Sequence, residues 1–322
     1  MSRIVVTGAA GFIGSHLVEY LKKVEPNSEV YGVDNKYPKW IDKADKFWVL
    51  DLKTLQGCMM ATEGVDTVYH LAADMGGMGF ISKYQTYILR NNTLIDFNMI
   101  EAARVNGVSK FFYSSSACIY PEYKQDTADI VGLKETDAYP AQPQDTYGWE
   151  KLMMEIMLAN YEKEFGIETR IARFHNVFGP YGTWTGGREK APAAMCRKVA
   201  EAKLEGRDYI EIWGDGKQTR SFCFIDDITN GVYRLTQSNY NQPLNLGQDR
   251  LVTIDDLADI VMDCANVKLE KKYISGPQGV RGRNSDNTKV QEVLGWKPQI
   301  SLEDGLKVTY DWIEEQVFLD SK

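Results

Sequence analysis

The sequence predicts an α/β chain, a doubly wound parallel sheet followed by a smaller, loop-rich C-terminal lobe. Three observations predict it. Short apolar runs rich in β-branched and aromatic residues alternate with amphipathic segments. A glycine-rich turn joins the first run to the first of those segments, and the alternation stops near residue 176.

The runs are RIVVTG, EVYGVD, KFWVLD, DTVYHLAA, KFFYSSS and ETRIARF; between them lie segments such as FIGSHLVEYLKK and NNTLIDFNMIEAARVNG. Strands that are apolar throughout belong to a sheet covered on both faces, and helical connections make that sheet parallel. Beyond residue 176, glycine- and proline-containing loops take over. Helical patterns return at DDITNGVYRLTQ, TIDDLADIVMDCA and SLEDGLKVTYDWIEEQ.

With 322 residues, 43% of them hydrophobic, the chain can bury a large core and form about two domains. A net charge of −8 argues against a polyanion such as nucleic acid as a general partner. The cysteines (Cys58, Cys118, Cys196, Cys223, Cys264) are dispersed, with no CxxC pair and no histidine at ligand spacing. That pattern disfavours a disulfide framework and a metal site, so reduced thiols and a cytoplasmic location are expected. No run approaches the roughly 18 apolar residues of a membrane span, and the amino terminus enters a strand with no charged-then-apolar leader.

The first functional signal is TGAAGFIG, which places Gly8, Gly11 and Gly14 between the first strand and the first helix. Glycines there allow a tight turn and a close backbone approach, with the helix amino terminus facing a pyrophosphate. Asp34 ends the second strand, where a carboxylate bonds a ribose diol and repels a 2′-phosphate, favouring NAD over NADP; Lys36 softens that repulsion. Asp51, ending the third strand, either meets the adenine edge or caps the following helix. These features define a dinucleotide-binding (Rossmann) domain over 1–175 and a substrate lobe over 176–322, with some chain exchange between them. The ligand is expected in the crevice between the two.

The second signal is YGWEK, which puts Tyr147 and Lys151 on one face of a long helix. A free tyrosine has a pKa of about 10 and is a poor base. A neighbouring ammonium and a cationic nicotinamide ring both favour its anion. Alone, such spacing more often describes a packed ring beside a solvated lysine. Following a glycine turn, an aspartate-ended strand and a strand-terminal serine cluster, it is specific.

Together TGAAGFIG, HLAA at 70–73, SSSACIY and YGWEK resemble the extended short-chain dehydrogenase/reductase family, whose members act mostly on nucleotide sugars. The resemblance implies that Ser116 orients a sugar hydroxyl, that Tyr147 with Lys151 takes its proton, and that Phe12 and Ile13 join the cofactor site. Dehydratases of the family carry an Asp-Glu pair where this chain has Ala117-Cys118. A thiol, with an unperturbed pKa of about 8.5, can exchange a proton with carbon; a small apolar filler is the plainer role for a cysteine.

AADMGGMGFI (72–81), SSACIYPE (115–122), FHNVFGPYGTW (174–184), GGREKAPAA (186–194), WGDGKQTRSF (213–222) and GPQGVRGRNSDN (276–287) extend the resemblance. They are similar to the branch of that family that epimerises GDP-mannose at C3 and C5. This implies Cys118 and Lys190 as an acid/base pair, with GDP-L-galactose, or GDP-L-gulose after C5 inversion alone, as product. It also implies substrate contacts from Gly76, Ala117, Asn176, Glu189, Ala191, Lys198, Gln218, Thr219, Arg220 and Arg283, and a homodimer built on two helices.

Read without the resemblance, Lys190 is a loop charge, each arginine a surface salt bridge, Gly76 a plain turn and His175 a structural hydrogen-bonder. Asn92 bridges backbone groups. The family's DAWP is DAYP here, at Asp137–Pro140. Competing functions are a nucleotide-sugar 4-epimerase, a 4,6-dehydratase and a non-catalytic NAD sensor. Cys118 with Lys190 disfavours the first two, and an intact Ser116, Tyr147 and Lys151 the third.

Overall fold

The computed structural model describes residues 2–277 and 279–322; Gln278, inside the GPQGVRGRNSDN motif, lies outside the described residues. The chain runs β1 (Arg3–Thr7), α1 (Phe12–Val24), β2 (Glu29–Asp34), β3 (Lys46–Val49), α2 (Leu55–Thr62) and β4 (Thr67–His70). Next come α3 (Met78–Lys83), α4 (Gln85–Val105), β5 (Lys110–Ser116), α5 (Thr146–Phe165) and β6 (Glu168–Phe174). The remainder comprises β7 (Val177–Phe178), α6 (Ala191–Glu205), β8 (Tyr209–Trp213), β9 (Thr219–Arg220), β10 (Cys223–Phe224) and α7 (Ile225–Gln237). It ends with β11 (Leu244–Leu246), β12 (Val252–Thr253), α8 (Ile254–Ala265), β13 (Glu270–Ile274), β14 (Gly282–Arg283), α9 (Thr288–Leu294) and α10 (Leu302–Asp320).

Seven strands form one sheet in the order β11-β6-β5-β4-β1-β2-β3, and every pairing in it is parallel. The order reverses beside β1, so the ends of β1, β4 and β5 open onto a crevice suited to a ligand. Register brings Thr7 beside His70 and His70 beside Tyr113. Three small sheets serve the lobe: β7 with β10, β8 with β13, and β9 between β12 and β14.

The strands are buried on both faces. Val5, Phe111 and Tyr113 pack with α4 and α5, whereas Ile4, Val6 and Phe112 face the other way. That second core continues through Met195, Val199, Leu257 and Leu306, so α6, α8 and α10 share it with the sheet. Each such large side chain stabilises by about 1.5–3 kcal/mol when fully buried. The sequence pattern contains six strand runs; the seventh, β11, is three residues long and comes from beyond residue 176. A run that short has no readable period.

Helix ends follow local chemistry. The Asp145 side chain accepts from the Gly148 N–H at the start of α5, and Gly166 ends that helix in the left-handed conformation. Lys190 occupies the cap position of α6, with a proline in its first turn and Gly206 closing it. Among the described residues no helix is long and apolar enough to cross a membrane, and no cluster of His, Cys, Asp or Glu is placed to hold a metal ion.

Candidate active site

The first turn is built from backbone. Gly8 has φ +69°, and a Cβ there would lie 2.9 Å from the Ala72 nitrogen; one on Gly14 would lie 2.1 Å from the Gly8 carbonyl oxygen. Only glycine permits this cradle, which turns the amino end of α1 toward an open cavity of about 480 Å³. Gly8, Gly11, Phe12, Ile13, Gly14, Asp34, Asp51, Tyr147 and Lys151 all line that cavity. Asp34 accepts the Ala10 and Asn35 N–H groups, and burial raises its pKa against those bonds. The cap of α2 is Thr54, so Asp51 is left to the cavity wall, where it pairs with Lys53.

A second cavity of about 250 Å³ adjoins it, the two sharing Met75, Gly76, Ser116, Phe174, Asn176 and Lys190. Ser116, the last residue of β5, accepts the Cys118 N–H and thereby caps the 3-10 turn Ala117–Ile119. That turn presents Cys118 to the second cavity. Gly148 follows Tyr147, and a Cβ on it would stand 2.2 Å from the Cys118 carbonyl oxygen. The first turn of α5 therefore rests directly on Cys118, and brings Tyr147 to it.

Tyr147 is buried, and its pKa is raised well above the usual tyrosine value by that burial and by the nearby Cys118 and Glu150; a hydrogen bond with Ser116 acts in the opposite direction. Lys151 donates to Tyr113 Oη at 2.9 Å, with the Tyr147 ring centroid 5.7 Å away. The Asp96 and Glu150 carboxyl groups stand close behind the lysine.

Cys118 Sγ accepts from the Arg283 guanidinium at 3.2 Å, and Arg283 Nε is held by Gln125 Oε1 at 2.6 Å. Arg220 bonds the carbonyls of Thr219 and Val280; burial and the neighbouring Arg283 push its pKa down to about 9. Lys190 lines both cavities. Its surface opens onto the cleft, yet protein walls surround it, and this desolvation lowers its pKa; Cys118 opposes that lowering and Arg283 adds to it. Cations thus converge on one thiol, an imbalance that an anionic ligand would relieve.

The rest of this cavity comes from the lobe. Lys198 donates to the Glu211 carbonyl at 2.6 Å and lies over the Trp213 ring. Gln218 is 6% exposed, and its Oε1 has no hydrogen-bond partner among the described residues. Asn176, at φ 26°, is held in the left-handed region by a bond to the Ser221 carbonyl. Ala117, Glu189 and Ala191 line the wall, with Glu189 committed to Arg197 and to the Gly187 N–H.

Thr219 is not brought in: its hydroxyl donates to the Ala128 carbonyl, and it lines neither cavity. Tyr139, at the DAYP departure, is exposed and also lines neither. His175 is fully buried, with its pKa pushed down to about 3 by that burial. Asn92 bonds the Asp74 N–H and carbonyl, tying the 72–81 loop to α4.

Sequence reasoning missed the supports. A Cβ on Gly76 would meet Phe80, whereas one on Gly77 would lie 2.4 Å from the Glu189 carbonyl oxygen. The Gly77 N–H also donates to the Arg188 carbonyl, so Gly77 lets the segment carrying Lys190 seat against the 72–81 loop. Its only signal was a second glycine beside the first. Gln125 carried no signal.

A dinucleotide cradle opening into a cation-rich second cavity, with Ser116 and Tyr147 at the junction, defines a nucleotide-dependent α/β protein with a separate small-ligand pocket. The sequence pattern of the NAD dependent epimerase/dehydratase family matches residues 4–247. The chain belongs to that family, and its cofactor is NAD. It is 52% identical to GDP-mannose 3,5-epimerase of Arabidopsis thaliana over 98% of its own length and 83% of that protein's. Among solved structures it matches UDP-glucose 4-epimerase from Thermotoga maritima with UDP-glucose: 26% identity, TM-score 0.87, covering 98% of this chain and 99% of that one. UDP-glucuronic acid 4-epimerase from Bacillus cereus, in complex with UDP-glucuronic acid and NAD, matches at 27% identity and TM-score 0.82, with the same coverage.

Proposed function

We propose that the protein is an isomerase that inverts C3 and C5 of GDP-D-mannose to give GDP-L-galactose, with GDP-L-gulose where C5 alone inverts. The observation that carries this reading is the placement of Cys118 and Lys190 in one cavity beside Tyr147.

A hydrogen on a sugar carbon is too weakly acidic to remove directly, but a ketone at C4 acidifies both neighbours. NAD, when bound, supplies that ketone by accepting a hydride from C4 and later returning it. Ser116 holds the C4 hydroxyl and Tyr147 takes its proton. Inversion then needs a proton removed from one face and delivered to the other. Cys118 reaches the sugar from the turn after β5, and Lys190 from the cap of α6. Arg283 stands 3.2 Å from the Cys118 sulfur, and burial lowers the Lys190 pKa, which eases proton exchange by its amine.

Arg220, Arg283 and Lys198 offer the charge for a diphosphate, Arg283 in a fork suited to bidentate bonding. The unpartnered Gln218 Oε1 is an acceptor for a ligand N–H or O–H. Tyr87, Trp149, Met153 and Ile156 leave apolar surface exposed on α4 and α5, which supports a homodimer through those helices. Free cysteines at all five positions support a reducing, cytoplasmic setting.

The test is incubation with GDP-mannose in heavy water. Deuterium at C3 and C5, with GDP-L-galactose appearing, is expected. Clean C4 inversion without exchange, or loss of water, overturns the reading. Cys118→Ala should lower exchange by about a hundredfold or more while GDP-mannose still binds; loss of binding instead would make the thiol structural.

A further inference from the structure

Behind Lys151 lies a closed polar network that the proton chemistry above does not use. Asp96, Glu150, Lys151 and His70 are each 1% exposed, on three different elements of the fold, α4, α5 and β4. Their hydrogen bonds fix one another's protons. Thr7 Oγ1 accepts the Leu71 and Ala72 N–H groups, so its own proton goes to His70 Nδ1 at 2.8 Å. His70 then carries its proton on Nε2 and donates it to Asp96 Oδ1 at 2.9 Å. On the other side Lys151 donates to Tyr113 Oη, whose proton goes to Asp96 Oδ2 at 2.6 Å. Both oxygens of Asp96 accept, so it is the ionised carboxylate.

Glu150 occupies a different position. Its Oε2 accepts from Asn92 Nδ2 at 3.3 Å, and its Oε1 faces Tyr113 Oη at 3.4 Å. Tyr113 has one proton for two carboxyl groups, and the shorter contact, 2.6 Å against 3.4 Å, gives it to Asp96 and leaves Glu150 without that donor. Lys151 Nζ lies 3.6 Å from Asp96 and 3.8 Å from Glu150. One ammonium, one carboxylate and one neutral acid leave this dry site uncharged; two carboxylates would leave a buried net negative charge.

We propose that Asp96 and Glu150 are a positioning pair that holds one negative charge between them behind Lys151, the charge resting on Asp96 and the proton on Glu150. This rests on the reading above only in taking Lys151 to work beside Tyr147. The titration directions agree with the geometry. Burial, with Asp96 adding to it, raises Glu150 well above the carboxylate range; burial also opposes ionisation of Asp96, but Lys151 and His70 outweigh it and hold that carboxyl low. The arrangement is self-correcting. If Asp96 loses its charge, Tyr113 can turn its hydroxyl to Glu150, which then ionises in its place.

Carboxyl-carbon NMR of the NAD-loaded protein at neutral pH reads this directly, with Asp96→Asn and Glu150→Gln assigning the two signals. The expected result is a protonated Glu150 and an ionised Asp96, with the Glu150 signal moving to the carboxylate position in Asp96→Asn. Two ionised carboxylates in the unsubstituted protein would overturn the proposal. Cofactor reduction on adding GDP-mannose is the second readout. Each single variant retains one carboxylate and loses up to about tenfold, whereas the double variant falls about ten- to a hundredfold below the product of the singles. A double variant equal to that product would also overturn the proposal. The NMR needs no sugar and no double variant. A protein that exchanges no sugar hydrogen yet shows the acid–carboxylate pair would sink the epimerase reading and leave this one standing.

Discussion

The cofactor cavity and the sugar cavity meet at Ser116, yet they are walled by different means. The first is a backbone cradle: Gly8, Gly11 and Gly14 crowd one turn, and Asp34 closes the adjacent strand. The second is made of side chains from distant segments. Arg283 lies 165 positions from the thiol it bonds and 158 from the Gln125 that steadies it. Backbone is held by the sheet and has little freedom. A pocket of long side chains can change its specificity loop by loop, at the cost of needing each one propped.

The same substitution in both halves tests this contrast. Gly14→Ala should have the larger effect, because its Cβ would sit 2.1 Å from the Gly8 carbonyl oxygen and neither backbone can yield. The expected result is protein isolated without NAD, with stability lowered by about 1–3 kcal/mol, the usual cost of overpacking. Acid extraction of bound cofactor and a melting curve check it; a full complement of NAD would show that the cradle is looser than it looks.

Gly77→Ala should do less, and do it selectively. Its Cβ would meet the Glu189 carbonyl oxygen at 2.4 Å, in a loop segment that can shift and carry Lys190 with it. Cofactor content and reduction by GDP-mannose should stay within about threefold, while deuterium exchange into the sugar falls about tenfold or more, in the range general acid–base groups contribute. Parallel loss of reduction and exchange would mean that the two cavities are not independently built.

The contrast also explains what could be read in advance. Gly8, Gly14 and Asp34 belong to one βαβ unit, and Tyr147 and Lys151 to one turn of α5, so local spacing reveals them. Gln125 and Gly77 act on residues remote in sequence, and no local pattern marks them. Glu150 was visible in YGWEK, but its neutral state depends on Asp96 in α4. Thr219 sits between Gln218 and Arg220, which line the second cavity, and the small sheet β12-β9-β14 turns it toward Ala128.

The smallest effect at neutral pH, and the one that tests the floor of the sugar half, concerns His175. It donates from Nε2 to Asn245 Oδ1, an oxygen that also accepts from Tyr120, while Nδ1 has no partner among the described residues. Buried in this way it stays neutral, with a pKa of about 3 against an ordinary 6.5. The unfolded chain therefore binds a proton that the folded protein refuses. Stability attributable to His175 is complete above the unfolded value and is lost as pH falls from there toward the folded one. Between about pH 7 and about pH 5 the loss is about 2 kcal/mol. Gln at position 175 can donate the same bond and has no proton to gain. Urea unfolding of His175→Gln should match the unsubstituted protein near neutrality within about 1 kcal/mol and lose about 2 kcal/mol less on acidification. Equal acid sensitivity in the two proteins would mean that His175 titrates while folded, and that water reaches the floor beneath Asn245.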